Sequence, residues 1–157
     1  MDPLGHYIRI HLTGAAVGIQ LFDRGSRLLD ADARAVVEHI RDELVEEREQ
    51  LLAMAHRIGV GPAPLATAVA KLGERLSRLK PNGHLLHRTP MTDLMDLEAM
   101  GVAAAGKIAG WESLLSVADQ HDGLERAELD ALLEHARRQH DQLSELHNHA
   151  ATRALTR

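Results

Sequence analysis

The chain contains no cysteine and very few aromatic residues. Among its 157 residues, the absence of cysteine excludes disulfides, thiolate metal sites and cysteine nucleophiles, and it fits a cytoplasmic location. Tyr7, Phe22 and Trp111 are the whole aromatic set, 2% of the chain, while hydrophobic residues make up 45%. Such an apolar fraction of Leu, Ala, Val, Ile and Met suits close helix packing better than a sheet. The composition therefore predicts an all-α protein, and the length predicts a single domain over residues 1–157.

The chain also lacks a basic run and a long apolar run. Its 18 Lys and Arg residues are scattered among 23 acidic residues, and the formal charge is −5. We therefore expect neither a nucleic acid nor an anionic membrane surface as a partner. The longest stretch of low polarity, residues 99–110, is too short to span a bilayer and contains Lys107, and the first six residues carry no secretory signal. The sequence thus predicts a soluble, cytoplasmic protein.

Local start and stop signals divide the chain into four long helices and one shorter helix. Asp2-Pro3 and Thr89-Pro90 each place a capping acceptor before a proline, which is the usual start of a helix. Asp30 begins the second long helix, and Asp122 has the spacing of a capping box for the last one. The predicted long helices run from 3 to about 23 or 24, about 30 to 58, 89 to 116, and 122 to the C-terminal region, with the short helix at about 64–80. This pattern predicts an antiparallel four-helix bundle with an additional short helix in the crossover between the second and third long helices.

Two of the long helices are rich in small residues. In an antiparallel arrangement, Gly14, Ala15 and Gly18 come level with Gly101, Ala104 and Ala105. Small residues that face each other let two helix backbones approach closely. We therefore expect the first and third long helices to be in close contact at this level.

Glu47 interrupts an otherwise apolar stripe, because it lies between Leu44 and Leu51 on the second helix. Polar residues in the inward stripe of a bundle are where a metal or cofactor site is built. Matching the heights of the helices brings further polar residues near Glu47, so one reading is a carboxylate and imidazole site for iron, manganese or zinc. Its candidate ligands are His11, Glu43, Glu47, Glu112 and His135.

A second reading of the same layer is structural. Lys107 comes to about the same height as Glu47, so the two can form a buried ion pair that sets the register of the helices. A metal site should show ligands that repeat at helical spacing, and this chain lacks that repeat. We therefore favour the ion pair, with the metal site as the alternative.

Histidine is unusually frequent, with 11 residues in the chain. Protonation of all of them would move the formal charge from −5 to −5 + 11 = +6, so acid should change the surface strongly. We expect most of these histidines to be exposed and ordinary. Histidine content alone supports a third hypothesis, a pH-responsive interaction module.

The layout over nearly the whole chain resembles the ferritin-like four-helix bundles, and it is similar to helical proteins common in high-GC actinobacteria. Ferritin-like oxidases use a Glu on each of two helices and Glu-x-x-His on each of the other two. Here Glu43-Leu44-Val45-Glu46 and Glu134-His135-Ala136-Arg137 leave that motif incomplete. The resemblance carries over Glu47 as the second-helix carboxylate, with Glu98 and Glu112 as rivals on the third long helix, and it implies a ferritin-like fold without a complete di-iron centre.

The leading functional prediction is a non-catalytic bundle that binds a partner or itself, as a homodimer. The alternative is a metal-binding protein with oxidase or storage chemistry, using iron or manganese.

Overall fold

The computed structural model describes residues 2–61 and 89–156, and the regular secondary structure of this part of the chain is all helical. Four helices pack together, and the described part of the chain contains no strand. The predicted short helix at about 64–80 and the loop histidines His84 and His87 lie outside the described residues. The helices are α1 (Pro3–Ser26), α2 (Ala31–Arg57), α3 (Pro90–Val117) and α4 (Arg126–Leu155), and a short 3-10 turn, Ala118–Gln120, follows α3.

Side-chain caps start three of these helices where the sequence predicted them. The Asp2 carboxylate accepts hydrogen bonds from the backbone N–H groups of Leu4 and Gly5, and Asp30 accepts one from Ala33. Thr89 forms a reciprocal capping box with Thr92. These bonds satisfy N–H groups that have no partner within the helix, so the local sequence accounts for where α1, α2 and α3 begin.

Two predicted boundaries are wrong. α1 continues through Gly25 to Ser26, because Gly25 lies buried in the last turn beside Met100 instead of forming the turn itself. Asp122 does not cap α4, which begins at Arg126 after a turn at Gly123 with a φ of +97°. That left-handed conformation favours glycine and separates Asp122 from the first turn of the helix.

The helices associate most extensively as two pairs, α1 with α2 and α3 with α4. The pairs meet through two smaller contacts, which we call the α1–α3 contact and the α2–α4 contact. Polar pairs bridge the α2–α4 contact near both ends: Arg153 Nη1 lies 2.5 Å from Asp30 Oδ2, and Arg57 pairs with Glu128. In addition, Arg57 Nε donates a 3.0 Å hydrogen bond to the backbone oxygen of Gly123.

In the α1–α3 contact, a large side chain of one helix packs against a glycine of the other. A Cβ built on Gly110 would lie 2.6 Å from His11 Cε1, and one built on Gly25 would lie 2.0 Å from Met100 Cε. The predicted close approach at Gly14, Gly18 and Gly101 is wrong, because a Cβ at any of the three would meet no atom of another described helix within 4 Å. The side chains of His11 and Met100 lie between α1 and α3, so the two helix backbones do not approach closely at Gly14, Gly18 and Gly101.

The buried apolar residues form two clusters rather than one continuous core. One cluster lies around Leu51, Trp111 and Ala136, and the other around Ile40, Ala104 and Leu143. On each of α2, α3 and α4, a polar residue separates the buried residues of one cluster from those of the other. The fold therefore places a polar layer between two apolar halves of the bundle. Among the described residues, no helix is long and apolar enough to cross a membrane.

Candidate functional site

Helical spacing places five polar side chains in the layer between the two apolar clusters. Glu43 and Glu47 are one turn apart on α2, and His135 and Gln139 are one turn apart on α4, so each pair projects from one side of its helix. Lys107 enters from α3. Glu47 and Gln139 are almost fully buried, with 3% and 1% of their surfaces exposed, which makes their hydrogen bonding decisive for stability.

Glu47 is half of an ion pair. Its Oε2 atom lies 2.5 Å from Lys107 Nζ, and its Oε1 atom accepts a 2.9 Å hydrogen bond from Gln139 Nε2. The ammonium of Lys107 also donates to the side-chain oxygen of Gln139. Each of the three side chains thus satisfies the other two across α2, α3 and α4, as a buried charged group requires.

Glu43 closes the outer side of the layer. Its Oε2 atom accepts a 2.8 Å hydrogen bond from Gln139 Nε2, and its Oε1 atom lies 2.7 Å from His135 Nε2. His39, one turn earlier on α2, brings its Nε2 atom to 3.2 Å from the same Oε1. The second ring nitrogen of His135, Nδ1, lies 3.4 Å from Glu47 Oε1. The imidazole of His135 is therefore placed between two carboxylates.

Burial and charge act in opposite directions on these groups. Burial lowers the pKa of Lys107, and the carboxylates of Glu47 and Glu43 offset only part of that effect. Burial on its own raises the pKa of Glu43, but hydrogen bonds from Gln139 and His135, with the charges of His135 and His39, hold it below its ordinary value. The environment thus favours the ionised form of Glu43 and strains the ionised form of Lys107.

The layer opens to solvent at the α2–α4 contact. A pocket of about 350 Å³ lies there, lined by His39, Glu43, His135 and Gln139, and further out by Arg138, Asp141 and Gln142. Glu47 and Lys107 are not among its lining residues. Solvent and protons therefore reach the Glu43 and His135 side of the layer more directly than the buried ion pair.

The structure brings together three of the five predicted ligands: Glu43, Glu47 and His135. His11 lies in the α1–α3 contact, with its ring against Gly110 and 4.4 Å from the ring of Tyr7, measured between centroids. Burial in this apolar place lowers the pKa of His11.

Glu112 is the other predicted ligand outside the layer. It is half-exposed and pairs with Arg137 at 2.9 Å on the surface. In the described ranges 2–61 and 89–156, no group of three or more His, Asp or Glu side chains is arranged to hold a metal ion. The metal assignment itself stays a prediction.

Besides Lys107, two residues were not among the predicted ligands: Gln139 within the layer and His39 beside it. Gln139 lies in the apolar stripe of α4 between Ala136 and Leu143, so it carries the same signal that identified Glu47. His39 precedes Glu43 by four residues, and this spacing brings two side chains together on a helix. The interrupted stripe of α4 could therefore have identified Gln139, and the four-residue spacing from Glu43 could have identified His39.

Comparisons of the chain with models of protein families, with curated proteins and with solved structures found no match.

Proposed function

We propose that the protein is a non-catalytic, ferritin-like antiparallel four-helix bundle that acts by binding a second copy of itself. In this proposal it is a cytoplasmic homodimer, and neither nucleic acid nor a membrane is its partner. The observation that carries the proposal is a row of exposed apolar side chains on α3, where Met91, Met95 and Val102 are 45%, 56% and 73% exposed.

Contacts between the helix pairs support the antiparallel layout. The start of α2 lies near the end of α4 through Asp30 and Arg153, while Arg57 near the end of α2 meets Glu128 near the start of α4. The same inversion holds between α1 and α3, where His11 meets Gly110 and Gly25 meets Met100. α2 and α4 therefore run in opposite directions, and so do α1 and α3, as an antiparallel bundle requires.

The spacing of the exposed residues supports self-association. Met91, Met95 and Val102 are separated by four and seven residues, so they lie on one face of α3. Exposed apolar residues that line up on one face mark an interaction surface more often than isolated ones do. A C2 dimer is the commonest homo-oligomer and uses the same patch on both subunits.

The polar layer supports a structural role for the bundle interior. Both oxygens of Glu47 and the amide of Gln139 are used within the layer, and Lys107 supplies the balancing charge. A buried polar network whose members satisfy one another rigidifies and specifies a core. The interior therefore holds the helices in register, and the surface carries the interaction.

The self-association is tested by the mass of the protein in solution. Light scattering coupled to size exclusion should give a mass of two 17.2 kDa chains for the wild type. Val102→Asp should give the mass of one chain, because an aspartate on the α3 face opposes burial in an interface.

Val45→Asp is the matched control, since Val45 is also an exposed valine, 43% exposed on α2. It should leave the dimer intact. A monomeric wild type, or a dimer that both variants leave unchanged, would overturn the proposal.

A further inference from the structure

A groove of about 440 Å³ lies between α3 and α4, and we call it the α3–α4 groove. Its apolar lining includes Leu97, Gly101 and Ala105 of α3 and Leu143 of α4. Val102 also lines it and is 73% exposed. A Cβ built on Gly101 would meet no atom of another described helix within 4 Å, so the space above this residue is open. The groove therefore has room for an apolar side chain from outside the bundle.

Polar pairs that join α3 to α4 stand before and after the groove along α3. Glu98 Oε1 lies 3.3 Å from His147 Nε2, and about four turns further along α3 Glu112 pairs with Arg137 at 2.9 Å. Because these four side chains have their partners within the same chain, they do not require a ligand of opposite charge. The part of the groove between them is the apolar part, which suits an apolar occupant.

The charge of the surface around the groove suits a second copy of this chain. Each chain carries a formal charge of −5, so two copies repel each other and dock most readily where few charges meet. Among the exposed residues of α3 between 91 and 109, Glu98 is the only charged one. A basic partner would instead favour α2, where the acidic side chains of Glu38, Asp42 and Glu46 are exposed.

The size of the exposed α3 face also points to the groove. Residues 91–109 span about 27 Å at roughly 1.5 Å per residue, and a helix is about 10 Å wide, so α3 alone offers about 270 Å². A stable interface buries about 800 Å² on each partner. The dimer interface must therefore extend beyond α3. The α3–α4 groove is continuous with the α3 face through Val102 and leads onto α4.

We propose that the two copies dock by a reciprocal insertion, in which Val102 of each copy enters the α3–α4 groove of the other, over Gly101 and Ala105. This inference rests on the self-association proposed above and adds to it the site that receives the exposed valine. Val102 and the groove are neighbours on one surface, so a two-fold axis seats both valines at the same time. The same patch then serves both subunits, as an isologous interface requires.

The test fills the groove from within its own copy. Ala105→Leu places a leucine side chain in the space that the incoming valine needs. It should weaken the dimer by roughly tenfold or more in the dissociation constant, as expected when a close contact is overpacked. Sedimentation equilibrium over a concentration series measures this constant. Ala53→Leu is the matched control, because Ala53 is an exposed alanine on α2, and it should leave the constant unchanged. Leucine is close to alanine in helix propensity, so both variants should fold, which circular dichroism checks.

A mixing experiment separates insertion from general apolar contact. Val102→Ala lacks the inserting side chain but keeps the groove, whereas Ala105→Leu keeps the valine but fills the groove. Either variant alone has lost both insertions, while a heterodimer of the two regains one. Native mass spectrometry of an equimolar mixture should therefore show more heterodimer than the two homodimers together would give at random.

The outcomes distinguish this inference from the self-association on which it rests. A wild-type dimer that Val102→Asp separates but Ala105→Leu leaves intact would overturn the insertion, while self-association through α3 would stand. Random pairing in the mixture would also overturn the insertion alone. A monomeric wild type would overturn both proposals.

Discussion

Two contacts join the same two helix pairs, and they do so by opposite means. The α2–α4 contact relies on charged and hydrogen-bonded groups, from Asp30 through the polar layer to Arg57. The α1–α3 contact relies mainly on shape, because His11 and Met100 each pack against a glycine of the opposite helix, while its ion pair, Arg24 with Asp96, is long at 3.9 Å. The α2–α4 side of the bundle should therefore respond most strongly to changes of charge and salt, and the α1–α3 side to changes of side-chain volume.

The largest expected effect comes from removing the cation of the polar layer. Lys107→Leu leaves Glu47, 3% exposed, without its ion-pair partner, and the cost of breaking such a buried pair is about 3–5 kcal/mol. Urea unfolding would measure the change in the free energy of unfolding. Arg137→Leu is the control, because it breaks the half-exposed pair with Glu112 and should cost less than about 1 kcal/mol. Equal losses in the two variants would contradict the account.

A smaller effect is expected from filling the space beside His11. Gly110→Ala places a Cβ 2.6 Å from His11 Cε1, so the ring must move. This overpacking costs about 1–3 kcal/mol of folding free energy. The higher helix propensity of alanine returns about 1 kcal/mol of that cost. Gly14→Ala is the matched control and should stabilise by about 0.5–1 kcal/mol, since its Cβ would meet no atom of another described helix within 4 Å. Thermal unfolding of both variants measures the difference.

A second substitution identifies the cause of the Gly110→Ala effect. If the clash with the ring is responsible, adding His11→Ala should recover much of the loss in a double-mutant cycle. If the two substitutions are additive, His11 does not define the contact.

Acid should destabilise both contacts, at different pH values. The pKa of His11 is lowered from 6.5 by burial, so the unfolded chain binds the proton more readily and stability falls as the pH drops below 6.5. The pKa of Glu43 is also lowered, so the stability it contributes is present above its ordinary value of 4.5 and is lost as the pH falls through the folded value. The unfolding free energy, measured from neutral to acid pH, should decline over both ranges.

Two variants separate these effects. His11→Gln should remove the part of the decline nearest pH 6.5, while Glu43→Gln should remove the part below the ordinary glutamate value. A decline that neither variant alters would mean that other carboxylates dominate.

We expect the purified protein to contain no bound metal. Elemental analysis of protein purified without a histidine tag should find no stoichiometric iron or manganese, because the Lys107 ammonium occupies the position beside Glu47 Oε2 where a cation would be held. Stoichiometric metal in the wild type that is lost in Glu47→Ala would instead support the metal site that includes Glu43, Glu47 and His135.

The features that could be predicted from sequence depend on neighbours along the chain. Asp2, Asp30 and Thr89 start their helices by capping bonds within three residues, which any sequence reading can find. The pairing of Glu47 with Lys107 also follows from periodicity, since both residues interrupt apolar stripes at matching heights.

The errors concern properties that the order of residues does not fix. Counting residues along α1 gives the height of His11 in the bundle, but the direction of its ring depends on the rotation of α1 about its axis. His11 therefore lies in the α1–α3 contact rather than in the polar layer. Whether Gly14 or Gly110 makes the close contact likewise depends on which side chain of the opposite helix fills the space beside it. The predicted cap at the start of α4 does not form, because Gly123 adopts a positive φ and makes a turn before the helix.

The most direct test of the polar layer as a structural element is the unfolding free energy of the double variant Glu47→Leu/Lys107→Leu. Replacing a complete buried ion pair by apolar residues of similar size is often neutral or stabilising, whereas breaking it is costly. The account predicts that the double variant recovers most or all of the stability lost in Lys107→Leu. A double variant as unstable as Lys107→Leu alone would contradict it.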